Sequence, residues 1–191
     1  VDFQTEFNGT NEDGDGIYLP YLRDEETLAR PWAIPGTPGL MHRVGGIEKE
    51  DGSGNISYDP ENHQKMVNVR QAKVDGIDVP DVEVMGDQDA DFCLLSWGST
   101  WGAVDAATAR LQKAGHKVAY VHLVHLNPFP SNLGEALGKF KKVLCPEMNA
   151  GQLDKLVRAK YLIDVQGAHK MNGVPYTTAE SEAAALEALR V

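Results

Sequence analysis

Two short stretches of this 191-residue chain carry side chains that can do chemistry. In "WGSTWG", Gly98, Ser99 and Thr100 separate an apolar run from a helix-like one, and N–H groups at such a helix start can hold an anion. The stretch lacks the glycine spacing of the nucleotide-binding fingerprints and the P-loop lysine, so it reads first as a glycine turn capped by a hydroxyl, with a weak anion site second. In "VLCPEMNAGQL", Glu147, Asn149 and Gln152 form a polar tip after an apolar run. No histidine, lysine or serine lies in that segment, so no acid–base pair is visible. The tip reads as a helix cap or an interface contact.

Other candidates are weaker. His122 and His125 are three apart, and on an extended strand they face opposite sides, which argues against a metal chelate from that strand alone. "NEDGDG" at Asn11–Gly16 imitates the start of a calcium loop, but Leu22 stands where a bidentate glutamate belongs, which leaves a solvated turn. Cys93 and Cys145 sit in apolar, strand-like contexts that suit buried, reduced thiols and a cytoplasmic protein. Their spacing gives neither a disulfide framework nor a zinc signature, and nothing basic lies beside either one to activate it.

The elements that would position these tips are regular from residue 89 onward. "FCLLSWG", "KVAYVHLVHL", "KVLCPE" and "YLIDVQ" read as buried strands. Between and after them, "STWGAVDAATARLQKAG", "SNLGEALGKF", "GQLDKLVRA" and "TTAESEAAALEALR" read as helices. Val104, Ala107, Leu111 and Ala114 share one face of the first of these helices. The last opens with a capping box, Thr177 to Glu180. Short apolar strands alternating with helices predict an α/β fold, an open and mainly parallel sheet with helices on both faces. In such sheets, ligands and partners meet the carboxyl ends of the strands.

Residues 1–88 read differently. "NGTNEDGDG", "RPWAIPGTPG" and "EDGSGNISYDPEN" are dense in Gly, Pro, Asn and Asp and cannot sustain long helices or central strands. The apolar residues between them, such as Tyr18, Leu19, Trp32 and Ile34, are too many for a free linker. An irregular arm docked on a surface is expected, with one helix in "DPENHQKMVNVRQAKVDG" between Pro60 and Gly76. "IDVPDVEVMGDQDAD" is expected to be a connector. The net charge of −10 argues against nucleic acid, and no apolar run approaches the roughly 20 residues that a membrane span needs.

"PYLRDEETLARPWAIPGTPGLMHRVGGIEKEDGSGNISYDPENHQKMVNVRQAKV", followed by "WGST", "HLNPFP", "PEMNAGQLDKLVRAKYL" and "GVPY", resembles the C-terminal part of the alpha subunit of 2-oxoacid:ferredoxin oxidoreductases, with the 2-oxoglutarate type the nearest likeness. The resemblance implies that residues 89–191 form a transketolase C-terminal-like domain and that residues 1–88 are the tail of a pyrimidine-binding domain. It implies an enzyme that uses thiamine diphosphate and Mg2+ to decarboxylate a 2-oxoacid, makes acyl-CoA from coenzyme A, and passes electrons through a [4Fe-4S] cluster to ferredoxin. The thiamine-activating glutamate and the arginine that grips the substrate carboxylate are not among these residues. The chain is therefore expected to bind none of these cofactors itself and to be inactive alone. Its role would be that of an assembly domain that meets the remainder of the alpha subunit and the beta subunit through Glu147, Asn149 and Gln152. A self-contained flavodoxin-like domain, binding a small ligand or anion at Gly98–Thr100, is the alternative.

Overall fold

The computed structural model describes residues 2–190, which divide into two compact units with the boundary between residues 78 and 79.

The first unit is irregular, as its Gly and Pro content requires. A two-residue hairpin pairs β1 (Gly9–Thr10) with β2 (Gly16–Ile17), and "NEDGDG" is its turn. Asn11 Oδ1 accepts from the backbone N–H groups of Asp13 and Asp15, so its oxygen closes the turn. Helix α1 spans Pro60–Asp75. Pro60 stands in the first turn, Asp59 accepts the N–H of Glu61 at 2.8 Å, and Gly76 ends the helix. These are the start and stop signals legible in the sequence.

The second unit is built on one five-stranded sheet. Its strands are β3 (Val84–Gly86), β4 (Phe92–Trp97), β5 (Val118–Leu123), β6 (Lys142–Glu147) and β7 (Val165–His169), in the spatial order β3-β5-β4-β6-β7. The last four are mutually parallel, and β3 runs antiparallel along the edge of β5. The helices are α2 (Trp101–Lys113), α3 (Leu133–Gly138), α4 (Leu153–Tyr161) and α5 (Thr178–Arg190).

Because strand side chains alternate between faces, β4 splits its apolar residues between two cores. Cys93 and Leu95 pack with Leu133 and Leu137 of α3 and with Leu153 and Val157 of α4. Phe92 and Leu94 pack with Val104 and Leu111 of α2 and with Ala185 and Ala188 of α5. The sheet is therefore open, mainly parallel and covered on both faces.

Two elements differ from expectation. The segment read as a connector contributes β3, whose three residues are too few to show a period. Gly86 has φ +89 there, and a side chain at that position would meet the Val118 carbonyl at 2.8 Å. The fourth parallel strand begins at Val165 rather than Tyr161, because α4 runs through Tyr161 and Leu162 caps it in the left-handed region at φ 58. No helix among the described residues is long and apolar enough to cross a membrane.

Candidate functional site

Of the four parallel strands β4 comes first in the chain; β5 lies on one side of it, β6 and β7 on the other. The gap between β4 and β6 is therefore the point where strand order reverses, the place where an open α/β sheet leaves a crevice beyond its carboxyl ends. Pairing between these strands runs only from Phe92 opposite Lys142 to Leu94 opposite Leu144. Beyond it lies a cavity of about 260 Å³, lined by Trp97, Gly98, Ser99 and Thr100 on one side and by Met148, Asn149 and Gln152 on the other. The two stretches singled out in the sequence thus form the two walls of one crevice.

The Gly98–Thr100 wall is a single 3-10 turn leading into α2. Gly98 supplies a φ of +57 with open space around its Cα. The Thr100 hydroxyl donates to the Trp97 carbonyl at 2.8 Å and accepts the Trp97 N–H at 3.3 Å, so it braces the turn instead of capping α2. Among the described residues no lysine or arginine lines this crevice, and any anion there would rely on the helix start alone.

Of the two roles open to Glu147 in the sequence, helix cap and interface contact, it takes the first: it is completely buried and accepts the opening N–H groups of α4. Its Oε1 accepts from Leu153 N at 2.9 Å, Asn149 Nδ2 at 3.0 Å and Trp97 Nε1 at 3.2 Å. Its Oε2 accepts from Asp154 N at 3.1 Å. The carboxylate satisfies the first N–H groups of α4, whose own cap position, Gln152, offers no side-chain bond. Asn149 Oδ1 accepts from Gly151 N at 2.8 Å and Gln152 N at 3.0 Å, closing the loop. Gln152 and Met148 remain exposed at the rim.

Sequence reasoning missed a neighbouring pair. His169 at the end of β7 meets Asp154 of α4, Nε2 to Oδ2, at 2.8 Å. Glu147, Asp154 and His169 place one ligand atom each within 4.8 Å of one another. The Glu147 oxygens are already committed to four N–H donors, so this cluster braces the fold and is poorly suited to a cation. A faint signal was present in Gly167: a Cβ there would collide with the His169 ring and the Asp154 carboxylate.

Cys145 is buried against this cluster. Burial, with the charges of Glu147 and Asp154 after it, pushes its thiol well up. Burial also raises the Cys93 thiol. Both cysteines are free, inert core residues. His122 accepts or donates at Nδ1 to Ser96 Oγ at 2.8 Å, and burial lowers its pKa. His125 lies beyond the end of β5 and is exposed. Trp97 is partly buried on β4, whereas Trp101, the first residue of α2, is 53% exposed.

Residues 90–180 match the family described as pyruvate:ferredoxin oxidoreductase core domain II. The chain is 54% identical over 164 residues to the 2-oxoglutarate oxidoreductase subunit KorA of Mycobacterium tuberculosis, a match covering 85% of this chain and 25% of that protein. It is 32% identical over 151 residues to the alpha subunit of 2-oxoacid:ferredoxin oxidoreductase 1 of Aeropyrum pernix, covering 74% of this chain and 23% of the relative. Among solved structures, the 2-oxoglutarate:ferredoxin oxidoreductase of Magnetococcus marinus, described with 2-oxoglutarate, coenzyme A and succinyl-CoA bound, superposes with a TM-score of 0.79 at 32% identity. That match covers 94% of this chain and 32% of the other. The chain spans about a quarter of the length of these two relatives. It belongs, as one segment, to the alpha subunits of the 2-oxoacid:ferredoxin oxidoreductases.

Proposed function

We propose that this chain is the C-terminal part of the alpha subunit of a thiamine diphosphate-dependent 2-oxoacid:ferredoxin oxidoreductase, of the 2-oxoglutarate type, that makes acyl-CoA and CO2 in the cytoplasm. Within that enzyme it is an assembly domain, inactive alone. Its partners are the remainder of the alpha subunit and the beta subunit, and the complex works with ferredoxin and coenzyme A. The observation that carries this reading is the superposition on the Magnetococcus marinus enzyme over nearly the whole chain.

The chemistry of the side chains agrees. A [4Fe-4S] cluster takes four cysteine thiolates, and this chain has two cysteines, both buried and held protonated. These residues do not fit a cluster. Thiamine diphosphate is bound through Mg2+, which requires oxygen ligands. Among the described residues no carboxylate lines the crevice; Glu147, which braces its walls, is buried with both oxygens committed to N–H donors, and the Asn149 carbonyl is committed to the loop. These residues do not fit the cofactor either. In this reading both groups are held by partner segments.

What the chain offers instead is surface. In the arm, Trp32 is 62% exposed, Met41 89% and Val44 86%, more apolar area than a free arm would present. At the crevice, Met148 and Gln152 are exposed over a rim that Glu147 and Asn149 hold in place. We assign the first unit, up to residue 78, as the docking arm and the second, which includes β3 and so starts earlier than the expected residue 89, as the α/β domain, with Asn149 and Gln152 at the contact and Gly98–Thr100 as its facing wall.

Native mass spectrometry of this chain mixed with the remainder of the alpha subunit and the beta subunit tests the assignment. One complex containing all three is expected. A complete alpha-remainder and beta complex that never takes up the chain would refute it.

A further inference from the structure

In the first unit, a cavity of about 700 Å³ is lined by Arg23, Arg30, Lys49, Arg70 and Lys73, with Glu48 the only acidic residue on its wall. The chain as a whole carries ten more acidic than basic charges, so this concentration runs against the protein's own bias.

The nearby carboxylates do not neutralise it. Glu48 receives Arg70 Nη1 at 3.1 Å and Nη2 at 3.3 Å, and it is shared with His63 at 2.7 Å. Asp51, which also acts on Arg23, is paired with Lys65 at 2.5 Å. Among the described residues, no carboxylate lies at ion-pair distance from Arg23, Arg30, Lys49 or Lys73. Lys49 is only 3% exposed, yet its ammonium is held by two carbonyls alone, Ile47 at 2.7 Å and Gly45 at 3.3 Å. Buried charges are ordinarily matched by an opposite charge.

The guanidinium groups are fixed in place. Arg30 lies 4.3 Å from the centre of the Tyr21 ring, a stacking that orients its fork while leaving its N–H donors unspent. Arg23 donates from Nη1 to the Leu28 carbonyl at 3.0 Å, and its Nε is buried without a partner. Burial and the charges of Arg30 and Arg70 disfavour the Arg23 cation, with Asp51 acting in the other direction.

We propose that this cavity is a binding site for a small oligoanion bearing clustered oxyanion groups, either a diphosphate ester or a di- or tricarboxylate. Planar guanidinium forks match both kinds of oxyanion. The residues lining this cavity all belong to the first unit and none lines the crevice described above, and the inference does not depend on the function proposed for the chain.

Isothermal titration calorimetry of the 191-residue chain at low ionic strength, with pyrophosphate and with citrate, tests it. At least one is expected to bind with micromolar affinity, and Arg30→Gln and Lys73→Gln should each weaken that binding tenfold or more with an unchanged melting temperature. Preference for pyrophosphate assigns phosphate esters, and preference for citrate assigns carboxylates. Absence of sub-millimolar binding by either titrant overturns the proposal. So does binding that both variants leave intact, since it would lie elsewhere.

Discussion

The indole N–H of Trp97, the last residue of β4, donates to Oε1 of Glu147, the last residue of β6, at 3.2 Å. It spans the two strands just past the point where their backbone pairing stops. This bond, with the three others to the same carboxylate, holds both walls of the crevice at a fixed separation. The polar tip is thus an internal brace whose exposed rim is carried by its neighbours.

Replacing Glu147 by alanine should strand four donors, two of them the opening N–H groups of α4. A loss of about 3–5 kcal/mol in unfolding free energy is expected, with Glu147→Gln losing less. Urea denaturation measures it. A loss under about 1 kcal/mol for the alanine variant would show that the brace is dispensable.

Gly167→Ala tests the Asp154–His169 pair. The added methyl collides with both side chains, and overpacking of this kind costs about 1–3 kcal/mol. Gly98→Ala meets open space and carries only the strain of φ +57, about 1 kcal/mol. The chemical-denaturation midpoints should rank Gly167→Ala below Gly98→Ala, and the reverse order would contradict the geometry.

Two carboxylates with strongly lowered pKa, one exposed and one partly buried, contribute to the acid response. Hydrogen bonding from Lys170, then from the backbone and hydroxyl of Thr177, brings Glu180 from 4.5 to about 2. Arg70, followed by His63 and the Lys49 N–H, brings Glu48 to about 2 against opposing burial. A carboxyl with a lowered folded-state pKa stabilises above its unfolded value and loses that contribution as pH falls through the folded one. Stability should therefore decline between pH 4.5 and about 2, and Glu180→Gln should flatten part of that decline. A profile unaltered by the substitution would count against the Lys170 contact.

Cys93 and Cys145 should resist a thiol reagent in the native chain at pH 8. Burial keeps both in the protonated form, with Glu147 and Asp154 adding to the effect at Cys145, and the thiolate is the reactive species. Both should react at once in denaturant. Fast labelling of either in the folded state would show that the sheet core opens there.

The regular half of the chain was legible because its signals are local. Val104, Ala107 and Leu111 recur at helical spacing on α2 and are buried as that spacing requires, whereas Ala114, read on the same face, stands at the helix end and is exposed. The Thr177–Glu180 capping box forms as read, Thr177 N to Oε2 at 2.9 Å and Glu180 N to Oγ1 at 3.2 Å. What escaped depends on contacts between distant residues. Asp154 and His169 meet only because β7 lies beside β6, and β3 gains its identity from pairing with β5. For Glu147 the sequence left helix cap and interface contact open and could not decide for the cap. The available hint was Gln152, a poor cap, which left the start of α4 in need of an acceptor from elsewhere.

The most direct test of the central claim, that this chain is a scaffold for machinery carried by companions, is 2-oxoglutarate-dependent ferredoxin reduction in the presence of coenzyme A. The alpha-subunit remainder and beta subunit would be assayed with and without the chain. Activity that appears only when all parts are combined, with none from the chain alone, is the predicted result. Full turnover without the chain, or turnover by the chain in isolation, would contradict the account.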